Sequence, residues 1–259
     1  MPLILKSCQP SPTRSRPADA QADPGRSFAD PRKGGHGLPV VLPPLLKICG
    51  LRQPAQARAV AELGVDAVGV IAVRSSPRWL APDQRLELFQ AMSDGRPGCR
   101  GVLVLADPGD ELGAQLNPDQ GHQVLQLHGR ETPARCRELA DRTGCAIWKA
   151  LRIASPSDLE RVNDYRNVAE AVLLDAWVPH QLGGSGQRIP PAWLEGFRPA
   201  LPWWLAGGVG PANAAELVAS FHPDGLDVSS SVERAPGEKN LDLVRALVDV
   251  VKGSAAGAR

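Results

Sequence analysis

Two side chains in this chain could exchange protons with one small molecule. Cys49 closes the apolar run Leu45 to Cys49, with Gly50 directly after it, and Asp175 closes a second run, Ala171 to Asp175. Each run reads as a short, fully buried strand ending in one reactive group. A charge at the end of a buried strand is costly unless it has a task. A thiol and a carboxyl on one rim of a parallel barrel can face each other across its mouth, one accepting and one donating a proton.

The same rim collects a second kind of chemistry. Glycine- and serine-rich turns follow three of the expected strands: Gly183-Gly184-Ser185-Gly186, Gly207-Gly208, and Ser229-Ser230-Ser231. Backbone N–H groups free of Cβ crowding can close on phosphate oxygens, and a short helix N-terminus after the last turn would add its dipole. His128, in Gln126-Leu-His-Gly129, either lines the pocket or hydrogen-bonds within the rim. The other histidines, His36, His122, His180 and His222, show no ligand spacing, so no metal site is expected. No GxxxxGK[ST] loop occurs, and the glycines do not follow the first strand as a dinucleotide-binding turn requires.

These residues need a scaffold, and the sequence from Leu45 onward alternates strand and helix. Strands are expected at Leu45–Cys49, Ala67–Ala72, Gly101–Leu105, Val124–Leu127, Ala146–Ala150, Ala171–Asp175, Trp203–Ala206 and Gly225–Val228. Between them lie stretches with apolar residues at helical spacing, such as Gln56–Leu63, Gln84–Met92, Pro133–Ala140, Ala212–Ala219 and Leu241–Val251. Asp83, Thr132 and Ser155 stand where N-caps are wanted. Repeats of roughly 27 residues suit a single closed (β/α)8 barrel, a TIM barrel, better than a doubly wound open sheet. The barrel domain is expected over residues 45–252, with a flexible tail at 253–259.

Composition narrows the function classes. A formal net charge of +1 argues against a general nucleic-acid or anionic-membrane binder. No apolar run reaches the roughly 18 residues of a membrane span. The 5 cysteines, Cys8, Cys49, Cys99, Cys136 and Cys145, form an odd set without C-x-x-C spacing, which predicts reduced thiols in a cytoplasm. Residues 1–44 are rich in Pro, Arg, Asp and Gly and show no periodicity. They are expected to be disordered, and no apolar run after Met1 suggests a secretory signal.

Taken together, KICGLR (47–52), GVDAVGVI (64–71), SSPRWL (75–80), QLHG (126–129), LLDA (173–176), GGSG (183–186), LAGGV (205–209), DVSSSVE (227–233) and PGEKN (236–240) closely resemble the phosphoribosylanthranilate isomerases of tryptophan biosynthesis. The resemblance implies a (β/α)8 barrel without cofactor or metal, acting on a small phosphosugar. It implies Cys49 as general base and Asp175 as general acid in an Amadori rearrangement of N-(5-phosphoribosyl)anthranilate. It also implies Arg78 as the partner of the anthranilate carboxylate, with His128 and the three turns as binding residues.

The chain departs from the pattern of that family at Arg52, Gln187-Arg188, Pro190-Pro191, Ser231 and Asn240. These positions bear on phosphate binding and leave Cys49 and Asp175 untouched. Two other readings remain open. A histidine-pathway isomerase on the same barrel would carry an aspartate where Cys49 stands. A non-catalytic phosphate-binding barrel would need neither proton-transfer group. Arg14, Arg16, Arg26, Arg32 and Lys33 offer tryptic sites in the extension. Limited trypsin is expected to trim the chain rapidly to a stable core beginning near Gly34 with its turnover intact. Resistance at those sites, or loss of turnover on trimming, would place the extension inside the folded enzyme.

Overall fold

The computed structural model describes residues 43–177 and 187–253. The expected extension up to residue 42, the turn Gly183–Gly186 with His180, and residues 254–259 lie outside the described residues.

Eight parallel strands close into a barrel in sequence order. They are β1 (Leu45–Cys49), β2 (Ala67–Ile71), β3 (Arg100–Leu105), β4 (Val124–Leu127), β5 (Ala146–Ile153), β6 (Ala171–Ala176), β7 (Trp203–Leu205) and β8 (Gly225–Val228). Closure is made by β1 and β8, paired Leu45 to Gly225 and Lys47 to Asp227. The chain is too apolar along these strands to leave either face in water, so every strand is covered twice. Leu46, Ile48, Val68, Val70, Leu103 and Leu125 point outward into the layer between sheet and helices. Ala67, Val102, Val104, Val124, Ala171 and Leu173 point inward and fill the lumen. Trp148 and Trp204 lie beside each other in the lumen, ring centroids 4.6 Å apart. Gly225 is bare because a Cβ there would stand 2.4 Å from the Trp204 ring.

The helical layer is less regular than the sequence predicts. Full helices are α1 (Pro54–Glu62), α2 (Pro82–Gly95), α3 (Pro133–Thr143), α5 (Ala214–Phe221) and α6 (Leu241–Gly253), whereas α4 (Pro191–Leu194) is a single turn. After β3 and β5 the chain forms 3-10 segments, Asp110–Leu116, Pro118–Gln120 and Pro156–Tyr165. The first is interrupted by Gly113 in a non-helical conformation, and Pro118 starts the next. Thr132 caps α3, accepting from the Arg135 amide at 3.3 Å. At Ser155 the Asp158 carboxylate accepts from the Ala154 and Ser155 amides, both at 2.9 Å. Asp83 is not the cap of α2. Ala81 holds that position in extended conformation because Pro82 follows it, and Asp83 sits in the first turn facing the helix dipole. After β8, where a short helix N-terminus was expected, there is one 3-10 turn, Ser230–Val232. A small hairpin unseen in the sequence follows, β9 (Glu233–Ala235) with β10 (Glu238–Lys239).

One ion pair anchors the loops after β3 and β4. Lys149 and Glu131 pair at 2.8 Å, each 1% exposed at the side chain. The Lys149 ammonium also donates to the carbonyls of Leu127 and Gly129 on either side of His128, at 3.0 and 2.9 Å. Glu131 accepts from the amides of Asp107 and Gly129, at 2.7 and 3.0 Å. Asp107, at φ 46, is held in the left-handed region by this clasp. Glu131→Ala would leave a buried ammonium without its carboxylate. A loss of about 3–5 kcal/mol is expected in urea unfolding. A variant within about 0.5 kcal/mol of wild type would show the pair to be dispensable.

Candidate active site

Interior positions on a strand alternate, so the residues that reach the barrel mouth are set by register. On β1 they are Lys47 and Cys49; across the barrel on β6 they are Leu173 and Asp175. Between them opens a cavity of about 270 Å³ at the strand C-terminal ends, lined by Cys49, Arg78, Gln126, His128, Asp175, Gly207, Gly208, Ser229 and Ser230, among others. Every expected site residue among the described ones therefore reaches one cavity.

On β6, Asp175 is 3% exposed, and His128 sits opposite with Nε2 3.5 Å from its Oδ2. The His128 amide is fixed by a 2.7 Å bond to the Leu105 carbonyl. Asp175 Oδ1, His128 Nε2 and Gln126 Oε1 are buried and make no hydrogen bond within the protein. Buried polar atoms are normally satisfied, and three orphans around one cavity are the mark of a site that awaits a polar ligand. His128 thus belongs to the cavity wall. Gly207, at φ 81, keeps the neighbourhood of Asp175 open, since a Cβ there would meet Asp175 Oδ1 at 2.8 Å and the Gln187 carbonyl at 2.6 Å.

On β1, Cys49 is 6% exposed and stands above a charge network that sequence reasoning missed. Lys47, fully buried, pairs with Asp227 at 2.8 Å. Lys239 from the hairpin donates to the Cys49 carbonyl at 2.5 Å and pairs with Glu233 at 2.6 Å. Burial pushes the Cys49 thiol above its ordinary value, while the Lys47 ammonium pulls it down and the Asp227 carboxylate pushes it up. Burial works against the Lys47 charge, yet Asp227 and the Cys49 sulfur hold it above the ordinary lysine value. Burial draws the Lys239 ammonium down, against the pull of Glu233. A lysine in the middle of an otherwise apolar strand was the one available signal for Lys47.

Arg78 reaches the cavity from the loop after β2, and its guanidinium grips Glu233 through Nε at 2.9 Å and Nη2 at 2.7 Å. These bonds hold it above the ordinary arginine value. Its carboxylate partner inside the protein is therefore Glu233. Gly50, at φ 84, lets the Arg78 stem pass, because a Cβ would meet its Cδ at 2.5 Å.

The glycine and serine turns divide by task. Ser229 turns its hydroxyl to the Cys49 carbonyl at 3.0 Å, tying β8 to β1. The Ser231 hydroxyl donates to the Val209 carbonyl, tying the last two turns together. Asn240 accepts from the Asp242 amide at 3.0 Å and so begins α6. The stem of Arg52 packs on the Gly237 turn of the hairpin. Three of the departures thus have structural tasks, and the Asp107 carboxylate, paired with Arg130, stands outside the cavity lining. Among the described residues no group of three or more His, Cys, Asp or Glu side chains could hold a metal ion.

Residues 46–250 match the family model for N-(5'-phosphoribosyl)anthranilate isomerase. The isomerase of that name from Synechococcus elongatus is 44% identical over 204 residues, covering 78% of this chain and 93% of that protein. Its counterpart from Gloeobacter violaceus is 39% identical over 218 residues, covering 83% and 96%. Among solved structures, the Thermus thermophilus isomerase is 31% identical with a TM-score of 0.68, covering 81% of this chain and 99% of that one. A phosphoribosylanthranilate isomerase solved with reduced 1-(o-carboxyphenylamino)-1-deoxyribulose 5-phosphate covers the same shares at 27% identity and a TM-score of 0.67. With most of the barrel matched in sequence and the same closed fold around one cavity, the chain belongs to the N-(5'-phosphoribosyl)anthranilate isomerase family.

Proposed function

We propose that this protein converts N-(5-phosphoribosyl)anthranilate to 1-(2-carboxyphenylamino)-1-deoxyribulose 5-phosphate in tryptophan biosynthesis. The observation that carries the reading is the placement of a thiol and a carboxyl on opposite sides of one cavity whose buried polar atoms lack partners. A histidine-pathway isomerase would place an aspartate where Cys49 stands, and a binding barrel would need no donor–acceptor pair.

The reaction needs one proton donor and one acceptor. Asp175 gives a proton to the furanose ring oxygen as its bond to C1 breaks, leaving an iminium with the anthranilate nitrogen. The Cys49 thiolate then takes the proton from C2. The electron pair of that C–H bond moves toward the iminium and gives an enolamine, which gains a proton at C1 and loses the proton of its C2 hydroxyl as it becomes the ketose. The iminium is the electron sink, so the residues named suffice for the chemistry. His128 and Gln126 face the sugar, where their free atoms can meet hydroxyls.

Gly207, Gly208, Ser229 and Ser230 form the phosphate end of the site. Arg78 serves the anthranilate end, its guanidinium oriented by Glu233. No helix among the described residues is long and apolar enough to cross a membrane. The four described cysteines are free thiols, which suits a reducing cytoplasm.

Cys49→Ala and Asp175→Asn are each expected to lower kcat by roughly 10²–10⁴-fold while product still binds. A fluorescence assay following loss of phosphoribosylanthranilate checks this, and near wild-type turnover in Cys49→Ala would remove the proposed base. Inorganic phosphate at millimolar concentration should compete with substrate in the same assay. Competition that is absent in the wild type would take the phosphate end away from these turns.

A further inference from the structure

Lys47 takes no part in the proton transfers above, yet it is the least expected residue in the barrel. Its ammonium is wholly buried in the lumen, one interior position below Cys49 on the same strand. A buried ammonium persists only when its surroundings require it, and hydrophobic residues of similar size are often at least as stable in such places. The pair with Asp227 accounts for its neutralisation and not for its presence.

Gly69 on β2 shows what Lys47 touches besides Asp227. A Cβ at Gly69 would stand 2.8 Å from Cys49 Sγ, 3.0 Å from Lys47 Cε and 3.1 Å from Lys47 Nζ. Sulfur and ammonium therefore lie against the same point of the inner wall, and that point is kept clear by a glycine. The other charges around the sulfur come from separate elements. Asp227 on β8 is the anion that pushes the thiol up. Lys239 on β10 binds the Cys49 carbonyl, with Glu233 and Arg78 completing the network on that side. Asp175 and His128 face from across the cavity.

We propose that Lys47 is a positioning residue for the Cys49 thiolate, its ammonium supplying the counter-charge that lets a buried sulfur lose its proton to water and stand ready as the base. The inference rests on Cys49 being the reactive thiol of the proposed function. Asp227 is the opposing weight, holding the ammonium in place while competing with the sulfur for it. Burial raises the thiol, and of the groups facing it Lys47 is the one that draws it down most strongly. Burial and Asp227 hold the thiol up overall, and Lys47, helped by Lys239, is what works against them.

The test reads the thiol directly. Iodoacetamide alkylation of Cys49 is followed against pH by mass spectrometry of its peptide, in the full chain without substrate. Lys47→Met is expected to slow alkylation at pH 7 by roughly 10- to 1,000-fold, the effect of removing an opposite charge at close range. Lys47→Arg should stay near the wild-type profile. Asp227→Asn should move it the opposite way, toward faster alkylation at lower pH, because it removes an anion and frees the ammonium for the sulfur.

A packing role for Lys47 would give no such reversal of sign. Unchanged alkylation in Lys47→Met, or slower or unchanged alkylation in Asp227→Asn, overturns the proposal. Asp227→Asn keeps the lysine and decides the matter even if Lys47→Met fails to fold. Because no substrate enters this measurement, a wild-type protein inactive on phosphoribosylanthranilate would refute the assigned reaction and leave the alkylation result standing.

Discussion

Closure of the barrel between its first and last strands is the constraint on which the site depends. The β1–β8 ladder sets Leu45 beside Gly225 and Lys47 beside Asp227, so a one-residue slip would turn Cys49 away from the mouth and expose a lysine to the apolar helical layer. The same closure brings the Ser229 hydroxyl to the Cys49 carbonyl and allows Lys239 to bind that carbonyl from the hairpin. Below it, Gly225 yields the space that the Trp204 ring occupies beside Trp148. These rings fill the lumen, and the cavity lies above them at the strand C-terminal ends.

Charge is distributed with the same logic. The lumen and the rim carry ammonium and guanidinium groups that are almost out of water, and each has a carboxylate partner: Lys47 with Asp227, Lys149 with Glu131, Lys239 and Arg78 with Glu233. Pairing of this kind seldom adds net stability over an apolar core, though breaking a pair is expensive. Its effect here is to fix geometry. The Lys149–Glu131 pair holds the loop of His128, and the Arg78–Glu233–Lys239 cluster fastens the hairpin to the strand end that carries Cys49. Of the four buried side-chain atoms without a partner among the described residues, three, on Gln126, His128 and Asp175, face the cavity, and the fourth is His122 Nδ1.

Much of this was legible in the chain itself. The apolar runs are short and evenly spaced, so all eight strands could be placed within a few residues; the largest error was β5, which continues to Ile153. Its last residues, Leu151 to Ile153, include Arg152, whose charge hid the continuation. Helices were legible where the apolar stripe is regular, as in α6. They failed after β3 and β5, where the chain closes its turns with 3-10 bonds and the pattern carries no sign of the difference. Asp83 misled because a good capping residue directly after a proline-fixed start resembles a cap in sequence.

Sequence alone determined the barrel and marked Cys49 and Asp175 as candidates at its mouth, because each ends a buried apolar run and the period of a strand decides which way such a residue points. The counterparts of those groups lie far away in the chain and come together only in three dimensions. Lys47 meets Asp227 after 180 residues and Lys239 meets the Cys49 carbonyl after 190. Tertiary structure also decided that Arg78 is held by Glu233 and that Ser229 serves β1. No local pattern encodes such pairings. They follow from the closure of the sheet, which joins residues according to register and not according to their distance along the chain.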